Sequence, residues 1–384
     1  MSDVRKQIGE ALSEILEAAA HGTPRRKIGL QSVGSEHGPD ELVSAALLAQ
    51  KQDPLVQVVM IGPRYVNNNA DLEWIETGDS DIEIEKAMDE ALRDGMISGA
   101  VAMHHPFPMG VTTIGRVLTP ALGKEMIIAS TTGTSAVNRV EAMIRNAVYG
   151  ISVAKALGNK APTVGILNVE GAQIVYKALC RLRDNGYAIT FGESHRADGG
   201  AVLRGNDILQ GVVDVCVCDT LTGNILMKMF SSYSTGGSYE SLGWGYGPSV
   251  GENWKEVVNI ISRASGAPVI ANAISYCAAA ARGDLTDVAE CELVAARTCG
   301  LEDIIAETCN SSVSVNKEVK APPAEPTDCE IHGIDVLEIE NAVQTLWQNG
   351  IYAESSMGCT GPVVKLNSAK ETAAEKILKE AHYL

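Results

Sequence analysis

Residues 213–224 read VDVCVCDTLTGN and join an apolar run to a polar turn that contains glycine. The run 213–218 is almost entirely valine and cysteine, which is typical of a strand buried on both faces of a parallel sheet. The turn 219–224 carries carboxylate and hydroxyl side chains of the kind that begin a helix. The stretch therefore predicts a strand followed by a helix, with Cys216 and Cys218 as core residues.

The same unit of strand and helix recurs along the chain. We predict further strands at 28–33, 56–62, 99–103, 126–130, 163–167 and 187–191. We predict helices at 4–19, 39–51, 84–93, 139–157, 172–184, 257–264 and 271–281, with one more directly after residue 110. Strands that alternate with helices indicate an α/β fold with helices on both faces of its sheet. We expect three layers around a doubly wound, mostly parallel sheet.

The chain is expected to divide at one linker. Residues 320–327 read KAPPAEPT, and three prolines cannot continue a helix or a central strand. The expected parts are an α/β core of residues 1–320 plus 355–384, a linker at 321–327 and an insertion at 328–354. The core could itself consist of two lobes, 1–150 with 355–384 and 151–320.

Charge and composition exclude several functions. The 384 residues include 31 Lys+Arg and 48 Asp+Glu, a net charge of −17, whereas nucleic acids and anionic membranes attract basic surfaces. No basic segment followed by an apolar one opens the sequence, and no apolar run is long enough to span a bilayer. We therefore expect a cytoplasmic protein. The nine cysteines contain no CxxC pair, so we expect reduced thiols and no structural zinc.

Two loops that follow predicted strands are suited to an anion. Ligands of α/β sheets bind at the carboxyl ends of strands, where helix N-termini present free amides. The first loop contains Asp219, Thr222, Gly223 and Asn224, with Lys228 one turn into the helix; the second contains Thr132, Gly133 and Ser135. Either loop could hold phosphate, or it could be an ordinary connection whose hydroxyls cap a helix.

Histidines follow two other predicted strands. His104 and His105 precede a proline-rich turn, and His195 is followed by Arg196. Each could act as a base or orient an acyl oxygen. A metal site is not expected, because neither pair has a carboxylate or cysteine companion at ligand spacing. The sequence also lacks a GxxxxGK[ST] loop and a GxGxxG motif after a strand, so neither a nucleotide hydrolase nor a Rossmann dehydrogenase is indicated.

One cysteine lies in a distinctive loop near the end of the sequence. Residues 355–362 read SSMGCTGP and place Cys359 between two glycines, before an apolar strand and a final helix. Reactive thiols favour polar, partly open turns of this kind. The alternative is that Cys359 only fills space, which is the commoner role of a free cysteine.

Several motifs together resemble the phosphate acyltransferases of fatty acid and phospholipid synthesis, which share their fold with phosphotransacetylases. The resemblance covers KIGL at 27–30, TVGILN at 163–168 and DVCVCDTLTGN at 214–224, and GPVVK at 361–365 is similar to that family's closing strand. It implies the phosphotransacetylase-like form of the predicted α/β fold. It also implies chemistry that joins an acyl group to phosphate.

A second family is similar along essentially the whole length: the alpha subunits of component C of the glycine, sarcosine and betaine reductase complexes. This resemblance includes MHHPFP at 103–108, GWGYGP at 243–248 and MGCTGP at 357–362. It implies that a carboxymethyl group on the selenocysteine of component A becomes an acetyl thioester on Cys359. Phosphate is then the co-substrate that reacts with the thioester, and acetyl phosphate is released. The resemblance implies no other cofactor.

The same resemblance implies partners. They are a beta subunit, expected in a hetero-octamer with the alpha subunit, together with the selenoprotein component A and component B. Two other functions stay open at the level of sequence. One is direct, non-covalent phosphate acyltransfer with acyl carrier protein, and the other is a non-catalytic assembly subunit.

Overall fold

The computed structural model describes residues 25–64, 72–195, 199–310, 319–335, 338–358 and 361–384. The predicted helix at 4–19 lies outside these residues. The strands are β1 Arg26–Gln31, β2 Val56–Ile61, β3 Glu73–Ile75, β4 Gly99–Ala102, β5 Val111–Leu118, β6 Glu125–Gly133, β7 Thr163–Leu167, β8 Thr190–Phe191, β9 Val202–Leu203, β10 Val215–Val217, β11 Gly247–Gly251, β12 Val258–Ile260, β13 Cys329–Ile331, β14 Ala353–Gly358 and β15 Gly361–Leu366.

The helices connect these strands. They are α1 Pro39–Gln52, α2 Asp81–Arg93, α3 Arg139–Ala156, α4 Ala172–Asp184, α5 Gly205–Gln210, α6 Thr220–Ser232, α7 Ala267–Arg282, α8 Leu285–Thr298, α9 Leu301–Asn310, α10 Ile339–Gln348 and α11 Glu371–Glu380. Short 3-10 turns occupy Tyr233–Thr235 and Ser368–Lys370. The predictions for β7 and α4 are confirmed at both ends.

The large sheet has twelve strands in the part of the chain that the structure describes, in the order β3-β2-β1-β4-β12-β11-β5-β6-β10-β7-β8, with β9 beside β7. The strands β1 to β4 and β12 are parallel to one another, and so are β6 to β10. Between these two groups, three pairs of neighbouring strands are antiparallel: β12 with β11, β11 with β5, and β5 with β6. Three reversals make the two halves run in opposite directions, so their carboxyl ends lie at opposite edges.

Helices cover both faces of this sheet. Successive strand residues point to opposite faces, and in β10 Val217 packs in the cluster that includes α1, α3, α4, α7, α8 and α9, whereas Cys216 packs with α5 and α6. In β2 the same alternation sends Val58 to the first cluster and Val59 to a cluster with α2. The three-layer, mostly parallel α/β fold is therefore confirmed.

Two predicted helices are wrong. The segment after Gly110 forms β5, whose sequence VTTIGRVL is rich in β-branched residues and pairs with both β6 and β11. The segment predicted as a helix at 257–264 contains the strand β12, because Val258 and Ile260 lie in the sheet between β4 and β11. β-branched residues favour strands when pairing partners are available on both sides.

The last part of the chain forms a separate antiparallel sheet in the order β13-β15-β14. Helices α10 and α11 pack on it around Val343, Leu346 and Leu378. Residues 355–358, expected in a loop, belong to β14. In the described residues β15 pairs with β13 and β14 rather than with the large sheet. The division of the core into two lobes stays a prediction.

No helix in the described ranges is long and apolar enough to cross a membrane. The longest of them, α3, has 18 residues and includes Arg139, Glu141, Arg145 and Lys155. A spanning helix needs about 20 mainly apolar residues.

Candidate functional site

The first predicted anion-binding loop follows β10 and lies beside the neighbouring strand β6, which continues to Gly133. Val217 of β10 is paired with Ala129 of β6, so the residues that follow them lie side by side. The hydroxyl oxygens of Ser130 and Thr220 are 2.7 Å apart, and Thr220 is the first residue of α6. The N-terminus of α6 therefore lies against β6, at a corner lined by these two hydroxyls, and Ser130 is fully buried there.

Asp219 caps α6. One carboxylate oxygen accepts a hydrogen bond from the Thr222 backbone N–H at 3.1 Å, and the other accepts one from the Thr222 hydroxyl at 2.6 Å. The geometry is that of an ordinary N-cap, which satisfies an amide that the helix leaves free. Asp219 and Thr222 thus hold the end of the helix in place. Thr220 and Leu221 precede this capped amide at the helix entrance.

Arg139, the first residue of α3, is the functional candidate that sequence reasoning missed. Its guanidinium lies 3.4 Å from the Asp219 carboxylate and 2.6 Å from that of Glu170. The side chain is 43% exposed, so it can exchange a carboxylate for another anion. The local signal was an arginine at the start of a helix that follows a strand. Its proximity to Asp219 depends on tertiary structure.

Gly223 and Asn224 fix α6 against β6. A Cβ atom at Gly223 would lie 1.8 Å from the Ser130 carbonyl oxygen, so only glycine permits this approach. The Asn224 side-chain amide donates to the Thr131 carbonyl at 3.1 Å. Both residues therefore position the helix. In the structure these two residues of the predicted anion cradle contribute to packing. Lys228 points elsewhere, 3.7 Å from Glu240.

The second predicted loop is part of a strand. Thr132 and Gly133 belong to β6, and the Thr132 hydroxyl lies 2.7 Å from the Thr113 hydroxyl of β5. Ser135 is buried and donates to the Asn146 side chain at 2.7 Å. The cap of α3 is Asn138, which accepts from two backbone amides. Thr132 and Gly133 stay near the carboxyl end of β6, whereas Ser135 supports the fold.

The histidines lie apart from this corner. His104 follows β4, whose carboxyl end is at the opposite edge, and it contacts Glu85 at 3.1 Å. His195 follows β8, which is separated from β10 by β7. Its Nδ1 lies 3.0 Å from the Gln210 side chain. Cys359 and Arg196 lie outside the described residues.

His105 is buried, unlike its neighbour His104. Burial lowers the pKa of His105, although the nearby charges of Asp89 and Glu85 act in the opposite direction. The structure brings Asp89 and Glu256 beside this ring. The sequence predicted no metal site because His105 has no carboxylate nearby in the chain. The fold supplies two carboxylates from distant segments.

The described cysteines are free thiols. Cys216 and Cys218 are fully buried, as predicted for core residues. Burial raises the pKa of Cys216 to about 12 and that of Cys218 well above its usual value. These two thiols stay protonated at neutral pH, so they are poor nucleophiles. Cys291, by contrast, is exposed on α8.

Comparison with known proteins gives the family. The sequence is 51% identical over 385 residues to "Glycine/sarcosine/betaine reductase complex component C subunit alpha" of Peptoclostridium acidaminophilum, and the alignment spans 99% of each chain. This chain belongs to the component C alpha subunit family. The family described as "Fatty acid synthesis protein" also matches, over residues 26–365.

More distant relatives of this component C alpha family member cover part of the chain. A phosphate acyltransferase of Thermotoga neapolitana is 28% identical over 232 residues, which are 53% of this chain and 68% of the relative. Among solved structures, a branched-chain phosphotransacylase from Enterococcus faecalis V583 is similar over 66% of this chain and 99% of its own, with 16% identity and a TM-score of 0.47.

Proposed function

We propose that this chain transfers an acyl group to phosphate as the component C alpha subunit of a glycine, sarcosine or betaine reductase complex. The observation that carries the proposal is the 51% identity that spans 99% of both chains. The similarity to phosphate acyltransferases supports the same class of chemistry. The proposed partners are a beta subunit, component A and component B, as the name of the relative and the resemblance imply.

The proposed reaction is phosphorolysis of an acetyl thioester on Cys359. A phosphate oxygen attacks the acetyl carbonyl carbon, a new C–O bond forms, and the C–S bond breaks to release acetyl phosphate and the Cys359 thiolate. The proton of the attacking hydrogen phosphate passes to that thiolate or to solvent. Nucleophilic catalysis of this kind needs a good leaving group and donors for the oxyanion that develops. The support for Cys359 is the resemblance together with its position between two glycines in the sequence.

We propose the corner between β6 and α6 as the phosphate site. Arg139 supplies a cation, and the entrance of α6 supplies backbone N–H groups and a positive dipole end. The hydroxyls of Ser130 and Thr220 are hydrogen-bonded to each other at 2.7 Å, which leaves one of their two protons for phosphate. Bound phosphate would displace Glu170 from Arg139 and leave the cap at Asp219 intact. Placing phosphate next to a thioester replaces a bimolecular encounter by a positioned step, which lowers the barrier.

An arsenolysis assay tests the proposal. Acetyl arsenate hydrolyses spontaneously, so an enzyme that forms an acetyl intermediate consumes acetyl phosphate when arsenate is present. We expect arsenate-dependent loss of acetyl phosphate with the full chain, alone or with its beta subunit, and none with Cys359→Ala. Cys291→Ala, which removes an exposed thiol on α8, is the matched control and should retain activity. Full activity of Cys359→Ala would exclude the thioester mechanism.

A second candidate function is favoured by the match to fatty acid synthesis proteins over residues 26–365. In that case acyl groups pass directly between acyl carrier protein and phosphate without a thioester on the chain. This function predicts turnover of long-chain acyl groups bound to acyl carrier protein, and Cys359→Ala should retain that activity. The same two variants therefore separate the two mechanisms.

A further inference from the structure

Three side chains that can bind metal converge on one face of the large sheet. Asp89 comes from α2, His105 follows β4, and Glu256 precedes β12. One potential ligand atom of each lies within 4.8 Å of those of the other two. They come from separate parts of the chain, so their meeting is a property of the fold.

The histidine at the centre of this cluster lacks hydrogen-bond partners. His105 is 8% exposed, and its Nδ1 is buried without a partner. Its Nε2 faces Asp89 Oδ1 at 3.9 Å, which is beyond hydrogen-bond range. Asp89 Oδ1 is likewise buried without a partner. Buried polar atoms are nearly always satisfied in folded proteins, so the orphaned Asp89 Oδ1, which faces His105 Nε2 across 3.9 Å, indicates a ligand between these two atoms.

The surroundings hold the histidine in place. The rings of Phe107 and Trp254 pack against the imidazole, with centroids 5.0 Å and 6.1 Å away. Among the neighbouring charges, Glu85 is engaged with His104 at 3.1 Å, and Arg93 lies 3.5 Å from Asp94. A fixed, buried and neutral imidazole is the form in which histidine binds metals.

The donor set selects the class of ion. One neutral imidazole and two carboxylates carry a charge of −2, which a divalent cation neutralises. A nitrogen donor favours first-row transition metals over Mg²⁺ and Ca²⁺, which prefer oxygen ligands. Zinc forms tetrahedral sites with bonds of about 2.0–2.2 Å, so its ligand atoms lie about 3.3 Å apart. Small rotations of Asp89 and Glu256, both only partly buried, bring the ligand atoms from within 4.8 Å to that spacing.

We propose that Asp89, His105 and Glu256 bind one divalent transition-metal ion, with Zn²⁺ as the expected occupant. The ion ties α2 to the segment that follows β4 and to the segment that precedes β12, and water completes its coordination. The site lies in the half of the sheet opposite the proposed phosphate corner. It is independent of the acyl transfer proposed above.

Cobalt titration of the chelator-treated full chain tests this site. Co²⁺ takes the same ligands as Zn²⁺ and reports them by absorption. We expect one equivalent of Co²⁺ to bind with weak visible bands, without the strong near-ultraviolet band of cobalt bound to thiolate, and to be displaced by Zn²⁺. A thiolate band, or binding well below one equivalent, would overturn the proposal.

Variants locate the ion. Asp89→Asn, His105→Gln and Glu256→Gln should each weaken Co²⁺ binding by at least about tenfold. His104→Gln alters the adjacent exposed histidine and should bind as the wild type does. A ligand that binds the folded state raises the melting temperature, so Zn²⁺ should raise it in the wild type and in His104→Gln. If Asp89→Asn, which keeps the shape of the side chain, binds Co²⁺ like the wild type, the assignment is wrong.

Discussion

Replacement of Gly223 by alanine probes the contact on which the geometry of the proposed phosphate corner depends. The added Cβ would lie 1.8 Å from the Ser130 carbonyl oxygen, whereas real Cβ atoms keep about 3.0 Å, so α6 must move by about 1.2 Å. The clashing atom is backbone and cannot rotate away. Overpacking of this kind costs about 1–3 kcal/mol of stability. A displacement near 1 Å can lower catalysis by about 100-fold.

Two measurements check this prediction. Urea unfolding should show a lower free energy of unfolding for Gly223→Ala, and arsenolysis should fall much more than the folded fraction does. Gly205→Ala is the matched control, because it lies at the start of α5 and a Cβ there meets nothing within 4 Å. Wild-type stability and activity in Gly223→Ala would refute the proposed packing of α6 on β6.

Three other changes test separate parts of the site. Arg139→Gln should raise the KM for acetyl phosphate about tenfold, the equivalent of about 1.4 kcal/mol, with kcat less affected; Arg183→Gln, an exposed arginine paired with Asp184, should leave KM unchanged. Asp219→Ala removes the cap of α6 and should lower the free energy of unfolding by about 0.5–2 kcal/mol in urea titrations. Because burial raises the pKa of Cys216 from 9.0 to about 12, the thiol stabilises the fold below pH 9, and this contribution is lost as pH rises through 12. At pH 8 a maleimide should therefore label Cys291 in the native protein and spare Cys216 until the chain is unfolded.

Sequence alone predicted the elements whose signal is local. The strand β7 and helix α4 have the predicted ends, because an apolar strand, a short turn with glycine and an amphipathic helix follow one another directly. The segment that forms β5 was missed because its strand state depends on pairing with β6 and β11, which are distant in sequence. The same long-range pairing reverses the two halves of the sheet. No local pattern shows that reversal.

The same distinction between local and long-range signals applies to the candidate site. The cap at Asp219 and the entrance of α6 are visible in the sequence, since capping depends on residues three positions apart. The ion pair of Arg139 with Asp219 and the cluster around His105 join residues from separate elements, and only the fold brings them together. The role of Cys359 was inferred from the glycines that flank it in the sequence and from family resemblance. It stays a prediction.

The proposed mechanism requires that an acetyl group resides on Cys359 before it passes to phosphate. The most direct measurement is mass-spectrometric mapping of the thiols after incubation of the full chain with acetyl phosphate and rapid acid quenching. We expect an acetyl group on the peptide that contains Cys359, removed by subsequent addition of arsenate, and an unmodified peptide that contains Cys291. Arsenolysis that proceeds while the Cys359 peptide stays unacetylated at every time point would contradict the thioester mechanism.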